Sequence, residues 1–339
     1  QERVLEFLAQ NWPQSREDYM YIMYHLGHVK LSLGKVLEAN KVFERTKHLF
    51  NKNSDRIISK ENSELYSLFR QCVNLISPKE LSVLAKPNMD MIDAMTGPVL
   101  WRKPVIASDI IGLVGADYLY VKEFGPNFFK ALSKYWPEKY IFHLHVADVP
   151  ESEVASLESL IDDWSSPIQI NISYSYIPEE YKGSKSAYYA SLRFFMLPAL
   201  LEKYGGAVFT FDIDMIAKSD LSPILDTGIK FDYCRYKRPN YGPGGQEYAA
   251  LTCFNGNAGI KLANLTANII ASRMNESNKH LWFVDQTALY QAYSYIATNS
   301  PVSHELNDGN FTDHIKNLDF YFDHLSAEDI KISISKTKV

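Results

Sequence analysis

No run of about 18 uncharged apolar residues occurs in the 339-residue chain, so the sequence offers no candidate for a membrane-spanning helix. Cysteine is scarce. Cys72, Cys234 and Cys253 are odd in number, far apart and outside any metal-ligand spacing, a usage that suits a reducing compartment and points to a cytoplasmic protein. No secretory signal accompanies the sequons at Asn171, Asn264, Asn275 and Asn310, which therefore read as chance. The chain opens at Gln1 without a methionine, as a sequence lacking an upstream segment would. Charge bias is small as well: the net charge is −5, and residues 1–90 hold 13 Lys+Arg against 11 Asp+Glu. Neither part has the basic excess of a nucleic-acid binder. With 46% apolar and 22% charged residues, the chain has the composition of an ordinary folded protein. An anionic substrate bound by the acidic remainder would need local positive charge, and a divalent cation is one candidate.

Two periodicities divide the chain. From Gln1 to about Ser77 the apolar residues recur at helical spacing, with few glycines and one early proline, Pro13. Within "MYHLGHVKLSLGKVLEANKVFERTKHLFN", the positions of Leu26-Gly27, Gly34, Ala39 and Phe43 resemble a tetratricopeptide repeat, whose small residues let two helices pack closely while an aromatic fills the gap. Only one copy is clear; flanking helices near Val4–Gln10 and Glu61–Ile76 would complete a degenerate stack. Such a region serves either as a cap on the main domain or as a surface for a protein partner. The four prolines of "SPKELSVLAKPNMDMIDAMTGPVLWRKP" read as a linker. The expected division is a helical region over 1–80, a linker over 81–103 and an α/β domain over 104–339.

Beyond Lys103 the pattern alternates. "VIASDIIGLVGAD", "KYIFHLHVAD", "PIQINISYSYI" and "AVFTFDIDM" read as strands, separated by helices near Tyr120–Tyr135, Ser152–Trp164 and Ala187–Tyr204. This order predicts a parallel or mixed sheet between helices, with ligands at the carboxyl ends of its strands. Asp117, Asp148, Asp212 and Asp214 all fall near such ends. In "FTFDIDMIAKSDL" an apolar strand runs into two aspartates one residue apart, which a strand would point to the same face. Two neighbouring carboxylates repel unless a hard cation such as Mg²⁺ or Mn²⁺ lies between them. The plainer alternative is one aspartate capping a turn and the other solvated.

The stretch "YYASLRFFMLPALLEKYGGAVFTFDIDMIAKSDLSPIL", followed by "FNGNAGIKL" and "LWFVDQTALYQAY", resembles glycosyltransferases of the GT-A fold, in particular bacterial relatives of the retaining galactosyltransferase and glycogenin-like enzymes. The resemblance covers roughly Val105 to Tyr293. It implies a metal-dependent transfer of a sugar from a nucleotide-sugar donor, UDP-linked first of all, to a glycan, lipid-linked saccharide or protein. It places the metal, Mn²⁺ or Mg²⁺, on Asp212 and Asp214, and the base near Asp117 and Tyr118. Arg193 would touch the donor sugar or phosphate, its helical neighbours Tyr189 and Leu197 telling against a solvated face; a structural salt bridge is the other reading. Asn257 and Gly259 would line the sugar in an Asn-Ala-Gly turn, although a plain turn uses the same residues. Asp285 and Gln286 would flank the anomeric carbon as the catalytic pair, against a simple helix cap at Asp285. Retention of anomeric configuration is the habit of these enzymes.

The tail lacks a feature of that group. A His-Gly-Lys near the end of the chain is usual, whereas "IKISISKTKV" puts Ile334 about where the histidine would stand. Lys336 or Lys338 would then meet the phosphates, and either His304, His314 or His324 replaces the ligand or the ion relies on two acids, phosphates and water. Arg235, Lys237 and Arg238 ahead of a Gly/Pro-rich loop read as a solvated turn. Two rivals stand beside the transferase. One is an inactive scaffold that keeps the helical region and the transferase-like fold. The other is a phosphohydrolase with an aspartyl-phosphate intermediate, against which the late position of Asp212 and the lack of a downstream Gly-Asp-x-x-x-Asp count.

Overall fold

The computed structural model describes residues 1–13, 17–33, 35–53, 68, 72, 74–86, 89–102, 105–237, 247–275, 281, 283–299, 306–315 and 318–324. It has the expected class, helices first and then a mixed α/β sheet. The chain divides into two compact units, one gathering residues 1–87, 237–248 and 265–305, the other residues 88–236, 249–264 and 306–339.

In the helical unit, α1 (Glu2–Asn11), α2 (Glu17–Ser32) and α3 (Val36–Lys52) follow the apolar spacing of the sequence. Tyr19, Met23 and Tyr24 of α2 bury against Ala39, Phe43 and Phe50 of α3, and the Phe43 ring fills the space over Gly27. No residue of α1 is fully buried. Ala9 packs partly buried on the α2/α3 core, and charge ties the helix down further: the buried Lys30 ammonium of α2 meets Glu2 at 2.9 Å, Glu6 at 2.7 Å and Glu38 of α3 at 2.7 Å. The helix expected over Glu61–Ile76 falls largely outside the described residues.

The expected linker is structured. It carries α4 (Pro78–Leu84), α5 (Met89–Thr96) and the short strand β1 (Leu100–Trp101). Ser77 and Glu80 form a capping box, the Glu80 amide donating to Ser77 Oγ at 3.3 Å and the Ser77 amide to Glu80 Oε2 at 2.9 Å. Pro78 at the first helical position loses no hydrogen bond, so here a proline starts a helix rather than breaking one.

The second unit continues with β2 (Ile110–Asp117), α6 (Tyr118–Tyr135), β3 (Ile141–Ala147), α7 (Val154–Ser165), β4 (Ile170–Ser175), α8 (Lys185–Tyr204), β5 (Ala207–Phe211), β6 (Met215–Ala217), α9 (Ser222–Gly228), β7 (Tyr233–Lys237) and β8 (Glu247–Phe254). After these come α10 (Gly256–Asn275), α11 (Val284–Asn299), β9 (Asp308–Asn310), α12 (Phe311–His314) and β10 (Phe322–His324). The sheet order is β1-β4-β3-β2-β5-β8-β7-β9, with β10 and β6 forming a separate antiparallel pair. Strands β4, β3, β2 and β5 run parallel, and β8 lies antiparallel to β5.

Helices cover both faces, as the alternation along β2 requires. Gly112 stands beside Phe142 of β3, whose ring meets Phe128 and Phe129 of α6. Gly115, three residues on and so on the opposite face, lies under α8. A Cβ at Gly115 would come within 2.6 Å of the Arg193 backbone nitrogen. Only glycine lets α8 settle this close to β2, and that approach fixes where Arg193 stands.

From β2 the chain builds outward through β3 to β4, then crosses back by α8 to place β5 on the other side of β2. The order reverses between β2 and β5. Loops leaving the carboxyl ends of these two strands diverge and open a crevice, the position at which parallel sheets take their ligands.

Candidate active site

Asp117 ends β2 and Asp212 follows β5, so both stand at that crevice. The β5 ladder with β8 stops at Phe211. Asp212-Ile213-Asp214 is consequently a turn, closed by the Met215 amide donating to the Asp212 carbonyl at 3.1 Å. This corrects the expectation that one strand face presents both acids. Ile213 is buried while Asp212 and Asp214 on either side of it stay partly exposed. Both also act on one phenol: ionisation of Tyr120 is pushed up by burial and then by the charges of Asp214 and Asp212.

Arg193 is 4% exposed, and its Nη1 lies 2.6 Å from Asp212 Oδ1. Nη1 also donates to the Ala190 carbonyl at 3.0 Å and Nη2 to the Ala249 carbonyl at 3.3 Å. The guanidinium lies 4.8 Å from the centre of the Phe194 ring. The salt-bridge reading of Arg193 is the one seen here: the guanidinium is buried against Asp212, next to the turn that carries Asp214.

Asp117 caps α6, accepting the amides of Leu119 at 2.9 Å and Tyr120 at 3.1 Å. Tyr118 is buried, donates its hydroxyl to Glu153 at 3.0 Å and accepts from Lys122 at 3.2 Å. Tyr120, which the sequence reading passed over, reaches across: its hydroxyl donates to Asp214 Oδ2 at 3.3 Å. The signal was available, since an N-cap aspartate fixes the residue three positions on at the rim of the sheet. Asp148 follows the end of β3. It holds a left-handed φ of 57° and accepts from the Ile177 amide at 2.9 Å and from the Tyr189 hydroxyl at 2.5 Å.

Other candidates fall elsewhere. Phe254 of β8 pairs with Val208 near the start of β5, so Asn257 and Gly259, in the first turn of α10, lie toward the opposite edge of the sheet from Asp212. The structure does not bring them to the aspartate pair. The glycine has a packing reason: a Cβ at Gly259 would come within 2.6 Å of the Asp232 carbonyl oxygen. Asp285 and Gln286 belong to the helical unit, in the first turn of α11, where Asp285 Oδ1 accepts the Gln286 amide at 2.8 Å. Lys336, Lys338, Ile334 and His304 lie outside the described residues. His314 packs on Phe231 at 5.5 Å between ring centres. The backbone of His324 pairs with Met215, the residue after Asp214.

The donor chemistry at the turn fits a hard divalent ion, which takes carboxylate oxygens. Among the described residues no third Asp, Glu, His or Cys clusters with Asp212 and Asp214. The one such cluster found, Glu2, Glu6 and Glu38, already surrounds the Lys30 ammonium. Cys234 and Cys253 are buried with their thiols pushed up by burial, so neither is a reactive thiolate. Among the described residues no helix is long and apolar enough to cross a membrane.

No protein-family profile matches the chain, nor does any curated protein sequence. Among solved structures it is similar to the apo-form glycosyltransferase GlyE of Streptococcus pneumoniae TIGR4, at 14% identity over 60% of this chain and 45% of that one, with a TM-score of 0.37. It is also similar to the apo structure of the bifunctional glycosyltransferase WbbM, at 14% identity over 57% of this chain and 38% of that one, again with a TM-score of 0.37. The chain thus spans less than half the length of either. At this distance the likeness carries no argument about chemistry.

Proposed function

We propose that the α/β unit is a metal-dependent glycosyltransferase that moves a sugar from a nucleotide donor, a UDP-sugar in the first instance, to a saccharide, lipid-linked saccharide or protein acceptor. One observation carries this reading: a turn bearing two partly exposed carboxylates, one of them paired with a buried guanidinium, stands at the β2/β5 crevice, where sheets of this order take ligands. Asp212 and Asp214 would hold Mn²⁺ or Mg²⁺. When bound, that ion supplies Lewis-acid stabilisation of a departing diphosphate. Arg193 adds a positive charge whose orientation is set by the Ala190 and Ala249 carbonyls, so no reorganisation is needed as negative charge develops nearby. Asp117 holds the first turn of α6 at the rim, and Tyr118 is locked into the wall by Glu153. Lys336 as a phosphate contact, Asp285 and Gln286 at the anomeric carbon, retention of configuration, and a protein partner for the helical unit remain parts of the proposal that rest on the sequence resemblance alone.

Calorimetric titration of a panel of sugar nucleotides with Mn²⁺ tests the reading. Saturable binding of at least one donor is expected, together with slow metal-dependent donor hydrolysis. Asp212→Asn and Asp214→Asn should each abolish that hydrolysis while circular dichroism stays native; full activity in either removes the assigned role. A specific observation favours a second reading, the inactive scaffold: Arg193 already supplies Asp212 with a permanent counter-charge, so the acid pair is sustained without an ion. Failure to bind any donor would select that alternative. The aspartyl-phosphate reading is weakened by the same contact, because a carboxylate clamped at 2.6 Å by a guanidinium is a poor nucleophile. Release of phosphate from a simple phosphoester would revive it.

A further inference from the structure

Tyr120 spans the crevice. Its backbone amide is held by Asp117 at the end of β2, and its hydroxyl donates to Asp214 beyond the end of β5. The ring packs on Phe124, one helical turn further along α6, at 4.2 Å between centres. It remains 39% exposed, so the phenol is an outward-facing member of the rim and not a core tyrosine. Burial and the charges of Asp214 and Asp212 hold the phenol in its protonated, donating form.

We propose that Tyr120 is a positioning residue that competes with the divalent ion for Asp214; this rests on the metal-dependent reading of the site given above. The Oδ2 atom that accepts the phenol proton is one that a bound cation would also take. A hydroxyl aimed at a carboxylate oxygen draws its electron density toward the proton and presents a partial positive charge to any approaching cation. The ion therefore binds at the cost of this hydrogen bond. Because Asp117 fixes the backbone of Tyr120, the ring yields by rotating about its side-chain bonds while α6 stays in place. Displacement of the phenol opens the crevice between β2 and β5 at the moment the ion arrives. Metal entry and crevice opening become one event, and the site is kept from holding a cation too tightly to exchange.

The test is Mn²⁺ binding to the full chain, followed by electron paramagnetic resonance of the free ion, for the parent protein and for Tyr120→Phe. Phenylalanine keeps the ring and its packing on Phe124 and removes only the competing proton. The variant should bind Mn²⁺ about fivefold more tightly, the scale of one net hydrogen bond. A tyrosine difference spectrum on adding Mg²⁺ should appear in the parent and vanish in the variant. Equal or weaker binding by Tyr120→Phe overturns the competition while leaving the metal site standing. Absence of saturable Mn²⁺ binding in both proteins overturns the metal-dependent reading itself, and this inference with it. Binding in the variant alone would be the strongest support. A melting temperature held within a few degrees excludes misfolding as the cause of any change.

Discussion

Arg193 shows at the scale of one residue how a charge is accommodated in the interior. Burial of a guanidinium is costly unless its charge is paired and its terminal donors find acceptors. Here the Asp212 carboxylate and the Ala190 and Ala249 carbonyls take the two terminal nitrogens, a fork that lysine cannot reproduce. Arg193→Lys should therefore lower the stability of the α/β unit by about 2–4 kcal/mol, read as a shift in the urea midpoint at unchanged slope. A loss below about 0.5 kcal/mol, the size of a surface substitution, would mean the clamp contributes little. The burial of Arg193 was legible in the sequence from its helical neighbours Tyr189 and Leu197. Its partner was not, because the contact with Asp212 exists only once the chain turns back from α8 into β5. The same limit hid Tyr120, whose hydroxyl finds Asp214 across the crevice between strands that are adjacent only in the folded sheet.

Among the elements, the parallel strands and their crossover helices were legible because each strand is buried on both faces and each helix repeats at its own period: β2, β3, β4 and β5 lie within the four segments read from alternation. The Ser77-x-x-Glu80 start of α4 was also written in the sequence, but the prolines around it drew a linker reading. The end of β5 was not legible, since β8 sets where pairing stops, and this moved Asp212 and Asp214 from a strand face to a turn. Nor was the direction of β8, which carries Asn257 and Gly259 toward the far edge of the sheet. The approach of α8 to β2 gives a test at this scale. Gly115→Ala would place a methyl group 2.6 Å from the Arg193 backbone nitrogen and 2.9 Å from Leu192 Cβ. Neither the sheet nor the helix backbone yields cheaply, so the variant should lose about 1–3 kcal/mol. Because the displaced segment carries Arg193, the proposed donor binding should weaken with it. A variant as stable as the parent would show that α8 is less tightly seated than these distances indicate.

For the whole molecule, no local pattern announces that residues near 290 join a unit begun near residue 1. Tyr290 buries its ring in the apolar cluster of α2 and α3 and donates to Asn40 at 2.8 Å, and Gln291 donates to the Ile76 carbonyl and accepts the Ile76 amide, both at 2.9 Å. The two units also stake their stability on different acid–base chemistry. In the α/β unit, His143 and His145 of β3 are fully buried, hydrogen-bonded to Ser173 and Ser175 of β4 at 2.8–2.9 Å. Burial drives both pKa values down, that of His145 to about 3. A lowered histidine pKa means that the unfolded chain binds the proton first, so this stability is complete above pH ~6.5 and drains away below it. At pH 5 the His145 contribution alone amounts to a loss of about 2 kcal/mol. Two carboxylates of the helical unit behave differently. Hydrogen bonds from Lys35 and Lys30 lower Glu2, and that from Lys30 lowers Glu38, so these two stay ionised until the pH falls below the ordinary glutamate range. Hydrogen exchange at pH 7.5, 6 and 5, corrected for intrinsic rates, should show peptides over Ile141–Ala147 losing protection steadily. His145→Gln, which can hydrogen-bond but does not titrate, should flatten that loss whatever it does to stability at pH 7.5. An unaltered pH slope in this variant would mean that protonation of the His–Ser ladder is not what acid attacks first.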